Sequence, residues 1–181
     1  VILNDPDVKI VVEVMGGINP AFQFTKDALL AGKSVCTSNK ELVAKHGAEL
    51  LEIAKEKDVN FLFEASVGGG IPIIRPINQS LTADKITEIT GILNGTTNYI
   101  LSRMTSEGTS YPDTLKESQL LGIAETDPTQ DVEGIDAACK AVILSNSVLG
   151  VNATYSDVEV TGISNITSEA ISIAKENGYK I

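Results

Sequence analysis

Val8-Lys9-Ile10-Val11-Val12-Glu13-Val14-Met15-Gly16-Gly17 decides how the first third of the chain is read. Apolar side chains occupy positions of both parities in this run, and two glycines stop it. A strand with one wet face would alternate, so the run predicts a parallel-sheet strand buried on both faces. Downstream, Asn19 is placed to cap a helix opening at Pro20, and Gly32 to close it. A second strand is expected over 34–37. An amphipathic helix follows over 41–58, with Leu42, Val43, Leu50, Leu51 and Ala54 as its apolar residues, and then a third strand over 60–66. Strand, helix, strand, helix, strand is the rhythm of a doubly wound α/β unit. No G-x-G-x-x-G turn precedes a helix within it, so that turn is expected upstream of Val1, and residues 1–66 are read as the C-terminal half of a Rossmann-like parallel sheet.

From Val67 the rhythm changes. Gly68-Gly69-Gly70 reads as a hinge, and Pro72 opens a short helix carrying Pro76. The alternation of Ile86, Glu88, Ile89 and Ile92 predicts a strand over 85–93. Asn94-Gly95-Thr96-Thr97 can then turn the chain and cap a helix over 98–106. Further helices are expected over 113–121, 131–149 and 167–176, and residues 179–181 read as a strand cut short. The fold class is therefore α/β: residues 1–66 form the second half of a dinucleotide-binding domain. Residues 67–181 form an α+β substrate and dimerisation domain, incomplete at its C-terminus.

Composition removes several functions. With 14 basic against 24 acidic residues in 181, a net charge of −10, four Phe, four Tyr and no Trp, the chain lacks the basic footprint and stacking platforms of a nucleic-acid binder. The uncharged stretch 141–156 is interrupted by Ser, Asn and Gly and is too short to span a bilayer. Two distant cysteines, Cys36 and Cys139, point to a reducing, cytoplasmic setting rather than a disulfide scaffold. The single histidine, His46, leaves His-rich zinc sites and a Ser-His-Asp triad without parts. Chemistry is left to carboxylates, lysines and a bound cofactor.

Asp136 and Lys140, spaced i, i+4, share one face of the expected long helix. Lys140 lies among Ala137, Ala138, Cys139, Ala141, Val142 and Ile143, and a buried lysine beside a carboxylate is a candidate proton donor. An ordinary surface ion pair is the alternative. Upstream, Glu125, Asp127, Asp131, Glu133 and Asp136 crowd around Pro128. Asp131 and Glu133 fit a helix N-terminus, whereas Glu125 precedes the helix and is placed to grip a substrate ammonium. Lys40 follows the second strand, where side chains of parallel sheets face the ligand crevice; it reads equally as an exposed turn lysine. Glu64 interrupts an apolar strand and needs a partner such as a cation. Cys139 reads as core.

Taken together these segments resemble homoserine dehydrogenases. The signature region runs Ser118-Gln119-Leu120-Leu121-Gly122-Ile123-Ala124-Glu125-Thr126-Asp127-Pro128-Thr129-Gln130-Asp131-Val132-Glu133-Gly134-Ile135-Asp136-Ala137-Ala138-Cys139-Lys140, with Ser118, where the family usually has Ala, as its one departure, read as peripheral. The blocks 12–17, 37–40, 64–70 and 91–96 are similar to the family's other blocks, in its order. The resemblance implies hydride transfer between NADP or NAD and aspartate 4-semialdehyde, giving homoserine for threonine, isoleucine and methionine biosynthesis. It assigns Lys140 as general acid, with Lys40 and Asp136 completing the catalytic set. Glu125, Asp131, Asp136, Asn94, Gly95 and Thr96 would bind substrate. Gly16, Gly17, Thr37, Lys40, Gly122 and Glu125 would line the cofactor, and Glu64, Val67, Gly69 and Ile71 a sodium ion held mostly by backbone carbonyls. A homodimer is implied, and the 181 residues by themselves are expected to be inactive. Two alternatives are a semialdehyde dehydrogenase using Cys36 or Cys139, and a noncatalytic oligomerisation or ligand-binding module of the same fold.

Overall fold

The computed structural model describes residues 2–181; Val1, where the first expected domain starts, lies outside them. Three parallel strands, β1 (Ile10–Glu13), β2 (Ser34–Thr37) and β3 (Phe61–Leu62), stand in the order β1-β2-β3. Ile10 pairs with Ser34, Glu13 with Thr37, and Val35 with Phe61. Helices α1 (Ala21–Leu30) and α2 (Lys40–Glu56) make the crossovers and pack on each other. Glu13 and Thr37, Val35 and Phe61 turn inward with Leu29, Leu42 and Leu50.

The other face departs from the expectation of a doubly buried strand. Ile10 and Val12 are 65% and 64% exposed, and Cys36 and Leu62 lie bare on the same side. The described residues cover only one face of this sheet, because α1 and α2 both pack on the inward set. Beside β1 an apolar groove is lined by Leu3, Val12, Val14 and Phe24.

Helix ends mostly follow capping chemistry. Asn39 caps α2, its side-chain oxygen accepting from Leu42 N at 3.1 Å. The expected Asn19 cap is absent: Pro20 holds the N-cap position of α1 with no side-chain bond. His46, on α2, stacks on Phe22 with ring centroids 4.0 Å apart, and Lys26 pairs with Glu49. Burial and the neighbouring Lys45 and Lys26 lower the His46 pKa against the opposing pull of Glu49, which suits a neutral ring packed on an aromatic. Lys33, unremarked in the sequence, is buried and donates to the carbonyls of Asp5 and Val8, fixing the chain ahead of β1.

The expected third strand is shorter than read, since residues 65–68 wind into a helical turn, α3 (Ala65–Gly68), ahead of α4 (Ile74–Ser80). Residues 85–93 and 179–181 form no ladder; a strand needs a neighbour, and none is supplied among the described residues. The helices that follow are α5 (Gly95–Glu107), α6 (Tyr111–Leu120), α7 (Thr129–Val132), α8 (Ile135–Leu144) and α9 (Ser168–Glu176). The helix expected over 131–149 is thus three pieces. Gly134, at φ +80°, breaks it between α7 and α8, and α8 runs into a π-helical turn, Ser145–Leu149. A side chain at Gly134 would have to occupy the left-handed region, which only glycine enters without strain.

The chain divides into two compact units. One runs to Ile89 and takes up Cys139–Val158; the other comprises Thr90–Ala138 and Glu159–Ile181, so the division falls inside α8. The second unit has its own core of Ile100, Met104, Val132 and Ile171, packed by Tyr99, Leu101, Tyr111 and Leu115. Among the described residues no helix is long and apolar enough to cross a membrane.

Candidate active site

In the first unit, the carboxyl ends of β1 and β2 are tied together by one buried carboxylate. Glu13 Oε2 accepts from the Thr37 hydroxyl at 2.6 Å, and Glu13 Oε1 from Met15 N at 2.6 Å. Thr37 Oγ1 in turn accepts from Asn39 N at 2.9 Å, and Asn39 Nδ2 donates to Gly17 O at 2.5 Å. The relay fixes the loop 14–17 against the start of α2, with no charged side chain left exposed by it. Gly16 and Gly17 both have positive φ, and a Cβ on either would meet nothing within 4 Å. Main chain is therefore laid open at the crevice where α/β sheets bind nucleotides. The sequence-predicted residues Gly16, Gly17, Thr37 and Lys40 gather here, Lys40 as the half-buried first residue of α2. Glu13 was missed. The signal was available: a carboxylate inside an apolar strand run, the same argument that singled out Glu64.

Glu64 finds partners in the backbone. Its carboxylate accepts from Ile73 N, from Ile74 N at 2.9 Å and from Arg75 N at 2.7 Å, and so closes the N-terminus of α4 from the end of β3. Burial raises its pKa, but the three amides outweigh that and hold it below the usual carboxylate value. Val67, Gly69 and Ile71 lie on the segment this clip closes. Among the described residues no group of three or more His, Cys, Asp or Glu is arranged to hold a metal.

The second unit assembles the carboxylates. Asn94 caps α5, its Oδ1 accepting from Thr97 N at 2.9 Å and from Thr97 Oγ1 at 3.0 Å. Its Nδ2 donates to Asp131 Oδ1 at 2.7 Å and to Asp136 Oδ2 at 2.9 Å. Asp136 is 2% exposed and Asn94 8%. On an unbroken helix, residues five apart point about 140° away from each other, so one nitrogen could not reach both aspartates. The break at Gly134 brings them to it.

Thr96 Oγ1 donates to Ile123 O at 3.2 Å, tying the first turn of α5 to the bend at Gly122. Gln119 Nε2 donates to the carbonyls of Glu125 and Thr126 and holds the chain beyond that bend, where the Glu125 side chain is exposed. Asp127 caps Thr129, and the hydroxyl and amide of that residue draw its pKa down against a smaller desolvation effect. Ser118 is fully buried, its hydroxyl donating to Leu115 O at 2.7 Å, so the added oxygen is satisfied within its own helix. Lys140 is half-buried on α8, one turn beyond Asp136, and Cys139 beside it is core as expected.

Carboxylates gathered on a neutral amide are of the kind that suits a cationic group such as an ammonium, and a lysine is of the kind that gives a proton to a developing oxyanion.

Comparison with known proteins gives a consistent outcome. Residues 72–181 match the family model described as homoserine dehydrogenase, and residues 1–64 the one described as homoserine dehydrogenase, NAD binding domain. The homoserine dehydrogenase of Bacillus subtilis (strain 168) is 51% identical over 98% of this chain and 41% of its own length. That of Methanocaldococcus jannaschii is 47% identical over 99% of this chain and 55% of its own. The crystal structure of a homoserine dehydrogenase from Thiobacillus denitrificans superposes with a TM-score of 0.96 at 47% identity, covering 99% of this chain and 42% of that one. A hyperthermophilic archaeal homoserine dehydrogenase solved in complex with NADPH gives 0.78 at 36% identity, over 87% and 48%. The chain thus spans about half, or somewhat less, of the length of these relatives.

Proposed function

We propose, from the premise that this chain belongs to the homoserine dehydrogenase family, that it forms part of an NAD(P)-dependent enzyme interconverting L-aspartate 4-semialdehyde and L-homoserine, on the route to threonine, isoleucine and methionine. The observation that carries the reading is the convergence of Asp131 and Asp136 on Asn94 inside the signature segment. The nicotinamide, when bound, supplies or accepts the hydride. What falls to the chain is binding, orientation and the proton.

The fit for a dinucleotide rests on open backbone at Gly16 and Gly17 beside Thr37 and Lys40 at the strand ends. Gly122 and Glu125 are assigned to the cofactor as well. Glu125 takes the substrate ammonium, Asp131 and Asp136 bind the substrate with it, Asp136 also completing the catalytic set, and Gly95 and Thr96 wall the pocket. In the reducing direction Lys140 Nζ gives its proton to the aldehyde oxygen as negative charge builds there, while Lys40 adds a second cation for that charge. Carbonyls of Glu64, Val67, Gly69 and Ile71 are the donors for a sodium ion. The enzyme is a homodimer of the cytoplasm that binds neither nucleic acid nor membrane, consistent with the net charge of −10.

The test is nicotinamide absorbance in the full-length protein. Homoserine should drive reduction of NAD or NADP, and aspartate semialdehyde should drive the reverse. No turnover with either cofactor across neutral to alkaline pH would refute the assignment.

A further inference from the structure

Asn94 stands among residues assigned to the substrate wall, yet its side chain is fully engaged elsewhere. An Asn amide has two donors and one acceptor oxygen with two lone pairs. Here the oxygen takes Thr97 N and Thr97 Oγ1, and the two donors go to Asp131 Oδ1 and Asp136 Oδ2. Reversing the amide would set NH2 against the Thr97 N–H and an oxygen against two carboxylates, so its orientation is fixed by its partners. Asn94 is 8% exposed. Little of it is left to meet a ligand.

The two aspartates are 37 and 42 residues away in sequence and sit on different helices, α7 and α8, with the Gly134 break between them. Like charges brought to one nitrogen repel, and a donor shared between them offsets part of that repulsion. Resting on the functional reading above, we infer that Asn94 is a positioning residue. It ties the half-buried Asp131 to the buried Asp136 and so presents Asp131 to the substrate, and makes no contact with substrate itself. The α5 cap and the carboxylate clamp are two ends of one amide, so the start of α5 is indexed to the site.

Those two jobs can be separated in the full-length protein. Asn94→Ser keeps a hydroxyl acceptor for the Thr97 amide, but one hydroxyl cannot span both carboxylates. Asn94→Asp also keeps the cap, and sets a third carboxylate against the pair. Asn94→Ser should melt close to the parent, because the cap is kept, whereas Asn94→Asp should melt lower, from like-charge repulsion, and is assayed below its transition. The KM for homoserine should rise about 10- to 100-fold, most in Asn94→Asp, as expected when hydrogen bonds to charged groups are lost. Because the lost contribution is to binding, kcat should stay within about 5-fold and the KM for NAD(P) within about 2-fold.

Homoserine KM values within about 3-fold of the parent in both folded variants would overturn the inference, as would a fall in kcat with KM unchanged. Should a variant melt early, homoserine binding measured below its transition reads the same question: weakened binding supports the clamp and unchanged binding overturns it. A parent protein with no homoserine-dependent turnover would instead overturn the functional reading, before any variant is made.

Discussion

The strand-end crevice of the first unit and the aspartate pair of the second treat buried carboxylates in opposite ways. Glu13 is consumed by its neighbours: one oxygen takes a backbone amide and the other the Thr37 hydroxyl, and the result is a rigid edge whose working surface is bare main chain. Asp131 and Asp136 are joined through one neutral donor, Asn94, which orients them toward each other. Neutral hydrogen bonding to a carboxylate can therefore build either scaffold or site. On the proposed reading, the difference is whether the carboxylate is closed off by backbone or presented to a ligand.

The largest departure should come from the group assigned to move the proton. Lys140→Ala in the full-length protein is expected to lower kcat by about 10² to 10⁴ with little change in melting temperature; steady-state turnover beside a thermal melt checks both, and retained turnover would remove Lys140 from the mechanism. Next, removing charge from the second unit should weaken substrate binding. Asp131→Asn should raise the homoserine KM about 10- to 100-fold while leaving the cofactor KM alone.

The matching change in the first unit sharpens the contrast. Glu13→Gln should cost about 1 to 2 kcal/mol of stability in denaturant unfolding, because the oxygen that accepts from the Thr37 hydroxyl becomes an NH2 and leaves that proton without its acceptor, yet leave the homoserine KM unchanged. If Glu13→Gln moved that KM as far as Asp131→Asn, the distinction between scaffold and site would be broken.

The smallest effect belongs to the α4 clip. Glu64 has a lowered pKa in the folded protein, so the unfolded chain binds its proton more readily; the stability it contributes is present above the ordinary carboxylate value of 4.5 and is lost as pH falls through the folded one. Glu64→Gln should cost about 1 kcal/mol near neutral pH and flatten that acid limb. Stability measured against pH for parent and variant decides it: parallel curves would mean the three amides do not bind the ionised carboxylate.

Much of the first unit was legible from local pattern. The strand-helix alternation, the Gly32 stop, and the placement of Lys40 and Thr37 at strand ends follow from periodicity and turn chemistry, which act within a few residues. The Asn39 cap follows the same chemistry, although it had not been singled out. Where local reading failed, a nonlocal condition decided. The apolar run at β1 could not tell how many faces the described residues would cover. The alternation over 85–93 could not say whether a neighbouring strand was present. The broken helix had a readable cue in Gly134, a glycine between the polar turn 129–133 and the apolar stretch after it, outweighed by the helical spacing of the residues on either side.

By itself the sequence determined the parallel α/β character of the first unit, the family signature, and the identity of Lys140, Asp136, Asp131 and Glu125 as the groups to watch. Those are matters of residue type and spacing along one chain. Only tertiary structure decided that Glu13 locks the crevice, that Glu64 closes a helix, and that Asn94 gathers two aspartates. Hydrogen bonds of that kind join residues tens of positions apart. Their partners are chosen by where packing leaves a donor facing an acceptor, a condition that appears only once the backbone has folded.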